Sequence, residues 1–135
     1  RDCQTTSDTE TLTAQLQQFV RDYSFIQYVY VTDVKGHSTA IAISDPGDQK
    51  GYKAFPIGFD YSNREWFQQP MRTGKLHIMN VHQSQVTGQL IITVSTVITD
   101  ANDEIIGVLG ADIQLEEIIR RAESLEAEEH IGEEE

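Results

Sequence analysis

The residues best suited to chemistry lie in one short stretch, Asp60-Tyr61-Ser62-Asn63-Arg64-Glu65-Trp66-Phe67. A guanidinium offers a planar fork of donors that fits a carboxylate bidentately, which an ammonium does not. Trp66 is the sole tryptophan of the chain, and its indole N–H adds one fixed donor. Tyr61, Trp66 and Phe67 can wall a pocket in which water is scarce and an ion pair of Arg64 is strengthened. Much further on, Asp112 follows the apolar run Ile105–Ala111. From there its carboxylate can accept from an ammonium or a hydroxyl, and an Arg and an Asp at opposite ends of one pocket select a zwitterion or a hydroxy acid. The same residues also admit purely structural roles. Arg64 and Glu65 can be solvated helix charges, Trp66 core filling, and Asp112 the cap of the final helix.

Other chemistries find less support. His77 and His82 can both project from the segment between Gly74 and Thr87, but a metal site needs a third ligand and none stands at suitable spacing. His82 is read as pocket lining, where an imidazole can donate or accept, and His77 as a strand residue facing solvent. There is no Gly-x-Ser-x-Gly elbow, and the single Cys3 excludes an internal disulfide. Gly107-x-x-Gly110 falls inside a strand pattern, so it is no phosphate cradle; such glycines let a ligand or a neighbouring backbone approach closely. No catalytic residue, metal ligand set or cofactor is therefore expected, and the chain is not read as an enzyme.

At 135 residues the chain fits one domain, long enough to bury a core without staples. No apolar run approaches the ~20 residues that span a bilayer, and no signal-peptide pattern is present. The first residue is Arg1 rather than Met, so a piece of a longer chain is expected, with any membrane spans outside it. The net charge is −12, of which Glu116–Glu135 carries −7, nine glutamates against Arg120 and Arg121. Such a surface repels phosphate backbones, and nucleic acid is not an expected partner.

The elements that must position these residues follow from periodicity. Residues 1–9 are polar and read as a flexible N-terminal segment; 10–119 form the domain, and 120–135 an acidic C-terminal helix or linker. Leu12, Leu16, Phe19, Val20 and Tyr23 recur at helical spacing from Glu10 onward. Phe25–Asp33 and His37–Ile43 are rich in β-branched and aromatic residues and form a hairpin around Asp33–Gly36. A loop then runs from Asp45 past Gly51 and Gly58. Asp60 or Ser62 caps a short helix over Asn63–Arg72 that is interrupted or ended near Pro70 and closed by Gly74. Lys75–Val81, Leu90–Thr99 and Ile105–Asp112 are three further strands, the last placed centrally because it is almost continuously apolar. Helical spacing resumes at Leu115, Ile118, Ile119, Ala122 and Leu125. Short connections make the last three strands antiparallel, and the sum is an α+β fold around a five-stranded antiparallel sheet. The first helix carries more apolar surface than one small sheet covers, so a homodimer through it is expected.

This order of elements, with this punctuation, resembles the Cache family of PAS-like extracytoplasmic sensor domains, as a single Cache module. The residues that carry the resemblance are Asp60–Phe67, similar to the family's Arg-x-Trp-Tyr segment, then Gly74-Lys75, Thr87-Gly88, Ile92–Ser95 and Gly107–Ile113. The resemblance covers roughly residues 28–119. It implies a PAS-like sheet with an N-terminal helix, a crossing loop with a short helix, and a C-terminal output helix. It also implies a sensory role in a chemoreceptor, histidine kinase or cyclic-dinucleotide enzyme. Such domains bind small metabolites rather than transform them. In an amino-acid-recognising subgroup, the Arg and Trp of that segment hold the carboxylate and the Asp ending the last strand holds the ammonium. Carried across, these roles fall on Arg64, Trp66 and Asp112, with Tyr61, Phe67 and His82 as further ligand-binding residues. Phe67 stands where a Tyr is usual, and His82 stands five residues before Thr87 where that subgroup tends to have another. Both departures remove a phenol that would donate to the ligand. The implied partners are a small carboxylate ligand and a covalent output module, and the implied place is the extracytoplasmic face of the cytoplasmic membrane, with the cytoplasm as the alternative. The rival reading is a dimerisation module with a vestigial or empty pocket.

Overall fold

Strand β1 (Ile26–Thr32) is buried along its whole length, as a strand covered on both faces must be. Its side chains alternate between two cores. Val29 and Val31 join Ala40, Ala42 and Ala111 under Leu16 and Val20 of helix α1 (Asp2–Asp22). Tyr28 and Tyr30 point the other way, into a second cluster with Tyr61, Trp66, Phe67 and Val108. One sheet thus separates a helix-covered aliphatic layer from an aromatic layer. In this computed structural model the backbone is described for residues 2–23, 25–45, 47–84 and 87–134. Side chains are described for 11–23, 25–45, 47–84 and 87–126.

The sheet is antiparallel throughout and α+β as expected. Its order is β2 (Ser38–Ile43), β1, β6 (Ile105–Gln114), β5 (Leu90–Thr99), β3 (His77–Ile78), and β4 (His82–Gln83) also pairs with β5. β6 lies at the centre, where its apolar run placed it. The sheet has six strands where the pattern predicts five, because Lys75–Val81 forms only the two-residue β3, and His82–Gln83 adds a second short rung on β5. The first helix starts at Asp2 rather than Glu10, so the backbone of the segment expected to be flexible continues the helix; its side chains lie outside the described residues. Helix α4 (Leu115–Glu134) begins where helical spacing resumes.

Two helices differ from the expectation. The stretch after Asp45 is not all loop but contains α2 (Gln49–Ala54), capped by Asp48, whose carboxylate accepts from the Gly51 amide at 2.9 Å. Helix α3 (Glu65–Thr73) passes through Pro70 and ends on the left-handed Gly74. Proline inside a helix forfeits one backbone bond, and the fully buried Pro70 ring offsets part of that cost. Neither Asp60 nor Ser62 caps α3; the N-cap is Arg64, without a side-chain bond. Asp60 instead accepts from the Ser62 amide at 2.8 Å, one turn earlier, and this hydrogen bonding holds its carboxyl below the usual range.

Candidate functional site

Sheet register builds the floor of the site. On the aromatic face, Asp112 of β6 lies between Tyr28 of β1 and Thr93 of β5. One rung along, Gly110 lies between Tyr30 and Ser95. The missing side chain at Gly110 leaves the seat for the Tyr30 ring, since a Cβ there would stand 2.2 Å from Tyr30 Cε2. Lying across that gap, the Tyr30 hydroxyl reaches Asp112 Oδ1 at 2.6 Å, and Thr93 Oγ1 donates to the same oxygen at 2.9 Å. Asp112 is thus a strand residue held by two hydroxyls, not the cap of α4. Gly107, by contrast, admits backbone: a Cβ there would meet the Thr32 carbonyl oxygen at 2.0 Å.

Burial pushes the Asp112 carboxyl up, and the Tyr30 and Thr93 hydroxyls and His82 offset this only in part. The Tyr30 phenol is driven well above its ordinary range by burial and by Asp112 beside it. His82 extends the chain of polar contacts. Its Nε2 lies 3.4 Å from Thr93 Oγ1, and its Nδ1 donates to the Asn80 carbonyl at 2.8 Å, because a carbonyl can only accept.

Walls rise from the loop and two helices. The loop before α3 is strapped to the sheet edge by Ser38 N–H to Phe59 O at 2.9 Å and Tyr61 N–H to Gly36 O at 2.8 Å. Gly36 permits that approach: its φ is +92°, and a Cβ would stand 2.9 Å from Ser62 backbone atoms. Tyr61 and Trp66 pack at 5.3 Å between ring centres, Trp66 and Tyr30 at 4.7 Å, and Phe55 stacks on Tyr30 at 5.3 Å. The result is an aromatic-walled cleft of about 760 Å³ with Asp112, Thr93 and His82 on its lining and Arg64 exposed at its edge. This size suits a small metabolite. Among the described residues the Arg64 guanidinium has no carboxylate partner, and the buried Tyr61 hydroxyl has no hydrogen-bond partner. Burial raises the Tyr61 phenol, and the positive charge of Arg64 offsets this in part.

Five of the six residues singled out by sequence therefore share one cleft: Arg64, Trp66, Asp112, Tyr61 and His82. Phe67 does not line it. Successive helical residues point about 100° apart, so with Trp66 on the cleft wall Phe67 turns into the core beside Tyr28 and Val108. His77, expected to face solvent, is half-buried and donates to Glu65 at 2.8 Å. Residues that sequence reasoning missed are Tyr30, Thr93, Phe55, and Lys50 and Lys53 of α2. For Tyr30 a signal was present, since a tyrosine opposite a strand glycine has somewhere to lie.

Helix α2 is tied to the sheet by one acid. Asp48 Oδ2 accepts from the Tyr28 hydroxyl at 2.7 Å while Oδ1 caps the helix. Burial and the Asp48 carboxylate both push the Tyr28 phenol far up, so this proton stays in place at any physiological pH. Tyr28→Phe is expected to cost about 1.5 kcal/mol, as for a hydrogen bond to a charged group. It should also speed hydrogen exchange at the Gly51 amide more than at the β5–β6 amides. Unchanged exchange at Gly51 would mean that α2 is held by other contacts.

The family model for the first PDC sensor domain of methyl-accepting chemotaxis protein-like sequences matches residues 9–120. A protein named citrate (Re)-synthase from Syntrophus aciditrophicus is 41% identical over 108 residues, 80% of this chain but 17% of that protein. The sensor domain of the V. cholerae histidine kinase DctB superposes with a TM-score of 0.63 at 19% identity, over 84% of this chain and 40% of that one. The sensory domain of the Campylobacter jejuni chemoreceptor Tlp3, with isoleucine bound, gives 0.60 at 23%, over 81% and 41%. The ligand-binding domain of the Pseudomonas aeruginosa amino-acid chemoreceptor PctC, in complex with GABA, gives 0.57 at 24%, over 79% and 45%. This chain thus spans about two-fifths of those solved structures, and its PAS-like α+β fold is theirs.

Proposed function

Because the chain belongs to the PDC (Cache) family of sensor domains, we propose that its cleft binds a small carboxylate-bearing metabolite, an amino acid or organic acid, and reports it through α4. The observation that carries this reading is that the Tyr61 hydroxyl, buried without a hydrogen-bond partner, and the Arg64 guanidinium, without a carboxylate partner among the described residues, both line the cleft. A carboxylate satisfies both at once. Asp112 is the receptor for an ammonium or hydroxyl at the other end, its Oδ2 taking no hydrogen bond from a described residue. Family and fold are those of non-enzymatic sensor domains, and the name of the synthase, of which this chain matches 17%, does not transfer. The three solved relatives belong to chemoreceptors and a histidine kinase, and two hold isoleucine and GABA.

Signalling in this reading is a shift between two populations. Ligand draws the α3 side of the cleft toward Asp112, and β6 carries the change over Ile113 and Gln114 into α4 at Leu115. Exposed Phe19 and Tyr23, packed on each other at 4.9 Å at the C-terminal end of α1, are the surface for a homodimer. The domain sits on the extracytoplasmic face of a membrane receptor, joined to an output module. No helix among the described residues is long and apolar enough to cross a membrane itself.

Calorimetric titration against a panel of amino acids, organic acids and their amides tests the proposal; silence across the carboxylates would favour the empty-pocket reading instead. Asp112→Asn sharpens the test. Asparagine can still accept from Tyr30 and Thr93, so the fold should persist, while ammonium-bearing ligands lose about 10-fold or more in affinity. Simple acids should be little affected. The unliganded domain gives a pH signature. The folded carboxyl titrates above its unfolded value, so the cost of its charge is absent below about pH 4 and grows as pH rises through the folded value. Asp112→Asn removes that cost. Its melting temperature should exceed the parent's at pH 7, with the gap closing toward pH 4; a gap independent of pH would mean that Asp112 is not a destabilising buried charge.

A further inference from the structure

Three of the chain's ten lysines and arginines line this cleft, Arg64 on the α3 side and Lys50 and Lys53 on α2. In a chain with 22 acids this is an unusual concentration. None of the three is paired with a carboxylate among the described residues, where the ion pairs are His37–Asp33, His77–Glu65 and Arg120–Glu117. The two acids on the lining are already engaged: Glu65 accepts from His77 at 2.8 Å, and Asp112 Oδ1 accepts from Tyr30 and Thr93. Lys50 and Lys53 are three apart on one short helix and so share a face. That helix is fixed by the Tyr28–Asp48–Gly51 contacts, and Gly51 lets it lie on Tyr28, since a Cβ there would stand 2.7 Å from Tyr28 Cε1.

One ligand carboxylate at Arg64 and Tyr61 leaves both ammoniums without an ion-pair partner among the described residues. Resting on the carboxylate reading above, we propose that Lys50 and Lys53 form a second anionic subsite and that the ligand carries two acidic groups. The ligand class is a dicarboxylate or an acidic amino acid, one carboxylate at Arg64 and Tyr61 and the other under α2. Both lysines are exposed, which matches a subsite at the cleft mouth whose long side chains close over the bound anion.

Four probes in two shape-matched pairs test this: succinate against succinamate, and L-glutamate against L-glutamine. Each pair differs by one carboxylate turned into an amide. The diacid should bind about tenfold tighter than its amide, as expected for one added charged contact. The Lys50→Gln/Lys53→Gln double variant should remove that preference and leave amide affinity unchanged. Both lysines being exposed, the unliganded melting temperature should not move, which checks folding. Which pair binds tells whether Asp112 receives an ammonium. If the amide partners bind and the diacids gain nothing, or if the lysine changes weaken both members alike, the second subsite is wrong and the carboxylate site stands. If none of the four probes binds, this proposal is overturned, and a silent carboxylate panel would take the reading beneath it as well.

Discussion

The Gly110→Ala variant is expected to lose about 3 kcal/mol of stability, the upper end of what overpacking a well-filled interior costs, and about 10 °C in melting temperature. The added methyl would stand 2.2 Å from Tyr30 Cε2, 2.9 Å from Cδ2 and 3.0 Å from Cζ. That ring cannot swing aside cheaply. Phe55 stacks on it at 5.3 Å, Trp66 packs at 4.7 Å, and its hydroxyl is held by Asp112 at 2.6 Å. Displacing it therefore breaks the aromatic wall and frees one of the two hydroxyls that hold Asp112, so ligand binding should fall with stability. Gly47→Ala is the control. Its Cβ would meet only Asp45 Oδ1 at 3.4 Å, and its φ is not positive, so alanine there should be neutral or slightly stabilising. Thermal unfolding of both variants decides the matter; a Gly110→Ala melting point within about 2 °C of the parent, against the roughly 3–4 °C that each kcal/mol moves a domain of this size, would mean that Tyr30 does not lie over that glycine.

The second large effect falls on binding alone. Arg64→Ala should reduce affinity for any carboxylate found in the panel by about 100-fold, roughly 2.7 kcal/mol, as for losing bidentate hydrogen bonding to a charged group. The unliganded fold should barely change, because Arg64 is exposed, makes no side-chain cap bond to α3 and pairs with no carboxylate among the described residues. Arg64→Lys separates charge from geometry: an ammonium keeps the charge but not the fork, so it should restore only part of the affinity. Ligand-induced stabilisation that survives Arg64→Ala would move the carboxylate to Lys50 and Lys53.

Much of the scaffold was legible because it rests on local patterns. The strands β1, β2, β5 and β6 carry β-branched runs whose alternation survives into the two cores. Helix α3 and the stop at Gly74 follow from turn chemistry that works over a few residues. Helix α2 escaped notice for a physical reason. Glycine is a poor helix residue, and Gly51 sits mid-helix because a tyrosine from a distant strand presses on that spot. Strand β4 escaped because two residues carry no period. Phe67 was drawn into the site because spacing alone does not say which of two adjacent aromatics turns inward.

What the sequence determined by itself is the donor side of the site, since Arg64, Trp66 and Tyr61 lie within six residues and any helix starting there keeps them together. It also determined that Asp112 lies near the end of a central strand, through the apolar run before it. Only the tertiary structure decided what faces them. Tyr30 reaches Asp112 across 82 positions, Thr93 reaches it across 19, and Lys50 and Lys53 join the cleft from a helix that propensity disfavours. Those meetings depend on strand register, where a slip of one residue sends every side chain to the opposite face. No local pattern encodes that pairing, and so the anchor of the ligand could be read from the chain while the shape and charge of the cleft around it could not.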